Sequence, residues 1–232
     1  MSSGFAAGTL VHTDKGLIPI QNLKVGDLVL SRHKSDLSIE PIFKKVLQVF
    51  KIPNQEVFRM TYCADDQWDN VESTLSYLIV TKEQLFWTKS QNKWSENKKL
   101  VMGDAVVLSK KNEQRHFFLA NNQIFQTHNS KGEIFGFCDA PLISSSPIKI
   151  ETIFKISSDS IISYFDPFIF AKYKPNNGIT LTYEEKGDIG KYAQDKVLLT
   201  DVYNIEVEEF HTYSVGEQGL WVGDSTIQGN NE

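Results

Sequence analysis

Short runs of alternating apolar and polar residues, broken by turn residues, dominate the chain. Thr9-Leu10-Val11-His12-Thr13 alternates and is rich in β-branched side chains, and Asp14-Lys15-Gly16 follows as a turn. Leu17-Ile18-Pro19-Ile20 and Leu28-Val29-Leu30-Ser31 read as the next strands, with Gly26-Asp27 between them. Val46-Leu47-Gln48-Val49-Phe50 and Val57-Phe58-Arg59-Met60-Thr61-Tyr62 follow, separated by Pro53-Asn54. Residues 75–81 are rich in Tyr, Ile and Val, and 105–109 form another apolar run. Helical spacing is scarce: residues 151–163 suit one or two turns, and 186–195 do so weakly. Such closely spaced strands predict a mainly β fold.

The pattern divides the chain. Residues 1–109 carry regular strands, and 201–224 return to them. Between them, 110–200 is less regular, with polar turns expected at Asn121-Asn122, residues 128–132 and residues 175–178. Its Phe and Tyr content predicts a folded insertion or subdomain rather than a linker. The tail, 225–232, is polar and expected to be loose.

One stretch is echoed. Leu23-Lys24-Val25-Gly26-Asp27-Leu28-Val29-Leu30-Ser31 resembles Leu100-Val101-Met102-Gly103-Asp104-Ala105-Val106-Val107-Leu108-Ser109. Each has an apolar approach, a Gly-Asp pair and a hydrophobic strand ending in Ser. Gly supplies the unusual dihedrals of a tight turn and Asp binds its backbone. The repeat predicts two related halves, or one structural solution reached twice.

Composition narrows the picture. The 232 residues, 41% hydrophobic, suit one large β domain or two small ones. A net charge of -5 gives no electrostatic reason to expect nucleic-acid binding. No run approaches the roughly 18 apolar residues of a membrane span, and the N-terminus lacks a signal-peptide pattern. A cytoplasmic location is expected for a free chain, and a secreted or cell-surface one if it belongs to a larger precursor. Cys63 and Cys138 have no metal-ligand spacing, so they read as small hydrophobes, with a disulfide left open. No metal or cofactor is expected.

The opening segment, Phe5-Ala6-Ala7-Gly8-Thr9-Leu10-Val11-His12-Thr13-Asp14-Lys15-Gly16 through Ser31, resembles the first block of the Hint (Hedgehog/intein) family. It is most similar to the Hint modules that precede the toxic tip of bacterial polymorphic toxins. Val202-Tyr203-Asn204-Ile205-Glu206-Val207 through Glu217, then Gly219-Leu220-Trp221-Val222, resembles the family's closing blocks. Tyr77-Leu78-Ile79-Val80-Thr81-Lys82-Glu83-Gln84-Leu85-Phe86-Trp87 stands where the family has a Thr-x-x-His strand end. The resemblance implies a pseudo-twofold, horseshoe-like β-fold with an irregular inserted segment or subdomain, and both chain ends at one site.

It also implies self-directed acyl transfer, which needs a nucleophile, a proton shuttle and oxyanion donors. Carried over residue by residue, the first nucleophile's position holds Gly4, which has no side chain. The family's His in Thr-x-x-His is Gln84, which cannot shuttle a proton near neutral pH, while Thr81 is present. The penultimate His is replaced by Gly223 and the terminal Asn by Asp224. His211 keeps the closing block's strand His, and Ser225 offers a hydroxyl after the exit.

Three function classes follow. The first is a Hint domain degenerate at its self-cleavage residues, serving a polymorphic toxin system as a folded spacer, a peptide- or protein-binding module, or an immunity-type modulator. Its partner would be a toxin or immunity protein. The second is residual cleavage after Asp224, assisted by Thr81 and His211. Against it, Gly223-Asp224 also reads as a plain turn like the other two Gly-Asp pairs. The third is an effector in 110–200, whose His116, His128, Glu151, Glu184, Glu185 and Asp188 lack recognisable spacing. His12 reads as structural, and His128-Asn129-Ser130 as a turn despite its intein-like order.

Overall fold

The computed structural model describes residues 3–36, 38–64, 76–108, 116–141, 149–156, 161–165, 178–180, 196–224 and 226. β-branched and aromatic alternation produces nineteen strands among them, and no α-helix. The first half runs β1 (Phe5–Ala6), β2 (Leu10–Thr13), β3 (Gly16–Pro19), a 3-10 turn at Ile20–Asn22, β4 (Leu28–Ser31) and β5 (Ile42–Glu56). The second runs β6 (Phe58–Ala64), β7 (Ser76–Val80), β8 (Leu85–Thr88), β9 (Lys93–Glu96), a 3-10 turn at Asn97–Lys99, β10 (Ala105–Val106) and β11 (His116–Gln123).

The sequence echo is a structural repeat, and it is longer than the motif. Asp27 N–H donates to the Lys24 carbonyl and Asp104 N–H to that of Val101. Each Asp carboxylate accepts the matching N–H: Lys24 at 2.9 Å and Val101 at 3.0 Å. Gly26 and Gly103 both sit at φ 93°, where a side chain would be strained. The hydrogen bond from the Lys24 N–H, the largest cause, holds the Asp27 carboxyl below its ordinary range. Upstream, Leu23 N–H bonds the Ile20 carbonyl and Leu100 N–H that of Asn97, both at 3.3 Å. Further back, Thr9 N–H bonds the Ala6 carbonyl as Gln84 N–H bonds that of Thr81. The turn Ala6-Ala7-Gly8-Thr9 is thus the counterpart of Thr81-Lys82-Glu83-Gln84.

Three closing strands, β17 (Leu199–Val207), β18 (Thr212–Val215) and β19 (Leu220–Gly223), stitch the halves into one sheet. Its order is β10-β11-β6-β7-β1-β17-β5-β4-β2-β18-β19-β8-β9, with β3 on β2. A further pairing of β10 with β8 closes the path. β17 lies between β1 and β5, with Phe5 opposite Tyr203. Phe5, Phe86 and Tyr213 meet edge to face at 6.3 Å in the main core.

The stretch 110–200 contributes β11 to this sheet and a second, five-stranded sheet. The latter comprises β12 (Phe125–His128), β13 (Ile134–Pro141), β14 (Lys149–Ile156), β15 (Ile161–Phe165) and β16 (Gly178–Thr180). Several sequence expectations change. Residues 151–156 and 161–163 are extended rather than helical, because ladder pairing with β13 and between β14 and β15 satisfies their backbone. The weak helix at 186–195 lies outside the described residues. Asn121-Asn122 belongs to β11, paired with Met60 and Arg59, not to a turn. Pro53-Asn54 does not end a strand: β5 runs through it, with Asn54 at φ 55° and a register shift against β17. The turn at 128–132 does form, with Gly132 N–H bonding the Asn129 carbonyl. Cys63 and Cys138 are both buried and are not joined in a disulfide. Among the described residues, no helix is long and apolar enough to cross a membrane.

Candidate functional site

Six of the sequence-selected positions form one continuous network where the chain ends meet. It begins at the Ser3–Gly4 peptide. Gly4 N–H donates to Thr81 Oγ1 at 3.1 Å, and Thr81 N–H donates back to the Gly4 carbonyl at 3.0 Å. Thr81 is placed there because β7 pairs with β1, leaving it directly after Val80, the partner of Phe5.

The carbonyl on the other side of that peptide is also held. Asn204 Nδ2 donates to the Ser3 carbonyl at 3.1 Å and to Ser3 Oγ at 2.9 Å. Asn204 Oδ1 accepts from Ile205 N–H and from the Tyr213 hydroxyl, each at 2.8 Å, so its amide orientation is determined. This is a donor aimed at a peptide carbonyl, the arrangement that stabilises an oxyanion. Sequence reasoning missed Asn204. An Asn among Val202, Tyr203 and Ile205 in a buried strand segment was the available signal, since strands are depleted in Asn.

What the peptide lacks is an attacker. A Cβ built on Gly4 would lie 2.8 Å from the Tyr203 carbonyl oxygen, 3.1 Å from Val202 Cγ2 and 3.3 Å from the Tyr203 carbonyl carbon. The absent nucleophile has therefore left no empty space: β17 backbone stands where its side chain would begin. Ser3 carries a hydroxyl on the residue before it, but attack on its own carbonyl would close a four-membered ring.

The network continues through Gln84. Its Nε2 donates to the Gly223 carbonyl at 2.8 Å and more weakly to that of Leu85 at 3.3 Å. Gln84 is fully buried and its Oε1 has no hydrogen-bond partner among the described residues. Gln84 thus ties the Thr81 turn to the C-terminal strand without offering a titrating group.

At the C-terminal end, Asp224 is a buried carboxylate compensated by backbone and hydroxyl donors. Oδ2 accepts from Val207 N–H at 2.8 Å, and Oδ1 from Thr226 N–H at 2.8 Å and the Thr226 hydroxyl at 2.6 Å. His211 Nδ1 lies 3.3 Å from Asp224 Oδ2 and 2.8 Å from Thr226 Oγ1. His211 takes a left-handed backbone, φ 56°, and its carbonyl accepts from Asp224 N–H at 2.9 Å. Burial, and secondarily the negative charge of Asp224, push the Tyr213 phenol well above its ordinary pKa. Ser225 lies outside the described residues.

His12 Nε2 bonds the Gly216 carbonyl at 2.8 Å, and His128 is in the second sheet. Among the described residues, no group of His, Cys, Asp or Glu could hold a metal ion.

Comparison with known proteins gives a consistent result. The family model described as the Hint domain matches residues 3–135. No curated protein matches the chain in sequence. The fold is similar to the solution structure of a bacterial intein-like domain from Clostridium thermocellum, at 19% identity and TM-score 0.53, covering 97% of this chain and 100% of that one. It is also similar to a doubly substituted mutant of an Ssp DnaB mini-intein, at 11% identity and TM-score 0.51, covering 99% of this chain and 96% of that one. At these identities the likeness concerns the fold.

Proposed function

Because the chain belongs to the Hint-domain family, we propose that it is an intein-like domain that has given up self-cleavage and serves as a folded spacer. The observation that carries this is Gly4. A nucleophile is missing there, and a Cβ would stand 2.8 Å from a backbone oxygen, which cannot swing aside as a flexible side chain would. Thr81 and Asn204 still grip the Ser3–Gly4 peptide on both sides, so the peptide is held but not attacked.

The buried network also supports the spacer role over binding within the old cleft. Gly4, Thr81, Gln84 and Asp224 are buried, so a guest peptide would have to displace the chain's own ends. Association with a bacterial polymorphic toxin system, beside a toxin or an immunity protein, rests on the likeness of the opening segment to pretoxin modules. A toxin gene beside this one supports that placement, and neighbours unrelated to toxins argue against it.

Cleavage after Asp224 has one favourable observation, the His211 contact at 3.3 Å. It requires the carboxylate to attack its own carbonyl and close a five-membered anhydride. Both carboxylate oxygens are instead occupied by Val207 and Thr226. Intact-mass measurement of the full chain, held for days from about pH 5 to about pH 9, tests both readings. We expect one unchanged mass. Loss of the segment from Ser225 onward, abolished in Asp224→Ala, would establish residual processing and overturn the spacer reading.

A further inference from the structure

The opposite face of β19 carries chemistry that the cleavage network does not use. Val222 points into the main core, so its neighbour Trp221 points the other way. There it meets Trp87 at 5.2 Å and Trp94 at 4.9 Å between ring centroids, and Trp87 meets Trp94 at 5.3 Å. The Arg32 guanidinium carbon lies 6.0 Å from the Trp221 ring centroid, at the outer limit of a cation–π contact.

Every unsatisfied group in this cluster is a donor. Arg32 Nε, Trp87 Nε1 and Trp221 Nε1 are buried without an acceptor among the described residues. Arg32 as a whole is 6% exposed, yet its side chain makes no hydrogen bond or ion pair among the described residues. Burial lowers its pKa, only partly offset by the through-space attraction of Glu40. Trp94 differs: its Nε1 donates to the Lys34 carbonyl at 3.2 Å. Buried N–H groups are ordinarily paired, so three in one cluster, one of them cationic, are short of an anionic acceptor.

The cluster is also built rigidly. Arg32 N–H donates to Thr212 Oγ1 at 3.1 Å, and the Thr212 hydroxyl donates to the Arg32 carbonyl at 2.5 Å. Ser31 Oγ touches the same Thr212 hydroxyl at 3.0 Å. Closing strand β18 therefore fixes the backbone that presents the guanidinium.

We propose that Arg32, Trp87 and Trp221 form a binding site for a carboxylate, with the guanidinium as ion partner and the two indole N–H groups as further donors. The planar fork of Arg suits a carboxylate, and a neutral donor pair beside it adds directionality. The site stands whether or not the chain cleaves itself, because none of its residues belongs to the Gly4–Asp224 network.

Titration of the full wild-type chain tests this, read by the NMR signals of the Arg32 Nε–H and the indole N–H groups. Two probes are used, glutarate and the peptide acetyl-Gly-Glu-Gly-amide, with sodium chloride at matched ionic strength as control. The expected result is a saturable shift of the Arg32, Trp87 and Trp221 signals with either probe and none with chloride. Tighter binding of the peptide would indicate a protein side chain as the natural source, and tighter binding of glutarate a small molecule. Arg32→Gln should weaken binding by about tenfold or more, and Arg32→Lys by less. Shifts that do not saturate, that chloride reproduces, or that leave these three signals unmoved overturn the proposal. So does unchanged affinity in a folded Arg32→Gln protein. If that variant does not fold, the wild-type titration and Arg32→Lys decide.

Discussion

Restoring a side chain at Gly4 is expected to damage the fold rather than revive cleavage. Gly4 does not occupy the left-handed region, so its backbone would accept an L-residue, and the cost comes from contact alone. A Cβ there meets the Tyr203 carbonyl oxygen at 2.8 Å and Val202 Cγ2 at 3.1 Å. Both belong to β17, which is paired on its two sides by β1 and β5 and has little freedom to retreat. Overpacking of this kind costs about 1–3 kcal/mol. Replacing Gly by Ala also restricts the unfolded chain, which returns about 0.4–1 kcal/mol. The net expectation for Gly4→Ala is a loss of about 1–2 kcal/mol. For a domain of this size that is a fall in melting temperature of about 2–8 °C. Urea unfolding gives the free energy, and intact mass of Gly4→Cys at neutral pH, with and without thiol, gives the chemistry. We expect no thiol-dependent fragment, since Gln84 supplies no proton shuttle. Gly4→Ala as stable as the wild type, or a Gly4→Cys chain that splits at residue 4 on adding thiol, would refute the steric reasoning.

Other substitutions probe the rest of the network. Asp224→Ala strips the buried Val207 N–H of its acceptor and should cost about 1–3 kcal/mol in urea unfolding, whereas a mere surface turn would cost little. Gln84→Met loses the bond to the Gly223 carbonyl but also removes a buried, unpartnered oxygen. It should stay within about 1 kcal/mol of wild type, while Gln84→Ala, which leaves a void, should lose about 2 kcal/mol or more. Tyr213 and Tyr62 keep their phenolic protons more tightly when folded, mainly through burial. The unfolded state therefore sheds protons first, so stability holds below about pH 10 and declines above it. Tyr213→Phe should soften that alkaline decline, as followed by circular dichroism during a pH titration, and an unchanged profile would count against the burial argument.

The fold was largely legible because its strands are short, alternating and bounded by Gly, Pro and Asp. The Gly-Asp echo could be read directly, since both turns use the side chain of one local residue. Its extension back to Ala6 and Thr81 could not, because the bond the two turns share is made by backbone atoms, and the Thr9 hydroxyl that reinforces the first has no counterpart at Gln84. Thr81, Gln84, His211 and Asp224 were found by position along the motifs. Asn204 was not, although it holds the Ser3 carbonyl, since its partner lies at the far end of the chain and only the sheet order unites them. The second sheet was under-read for the same reason: β14 acquires its extended form from β13 and β15, not from local propensity alone.

β17 holds the chain at both extremities. Asn204 secures Ser3, and further along the same strand Val207 secures Asp224. At the rise of an extended strand, the two anchor points are about 10 Å apart. Whatever is joined before residue 3 and after residue 226 is consequently kept side by side. Mechanically, tension applied through such neighbours peels β1 and β19 from their partners one bond at a time instead of shearing the ladder as a whole. A domain with this layout opens locally, from the two strands that carry its ends, and not through loss of the whole sheet at once.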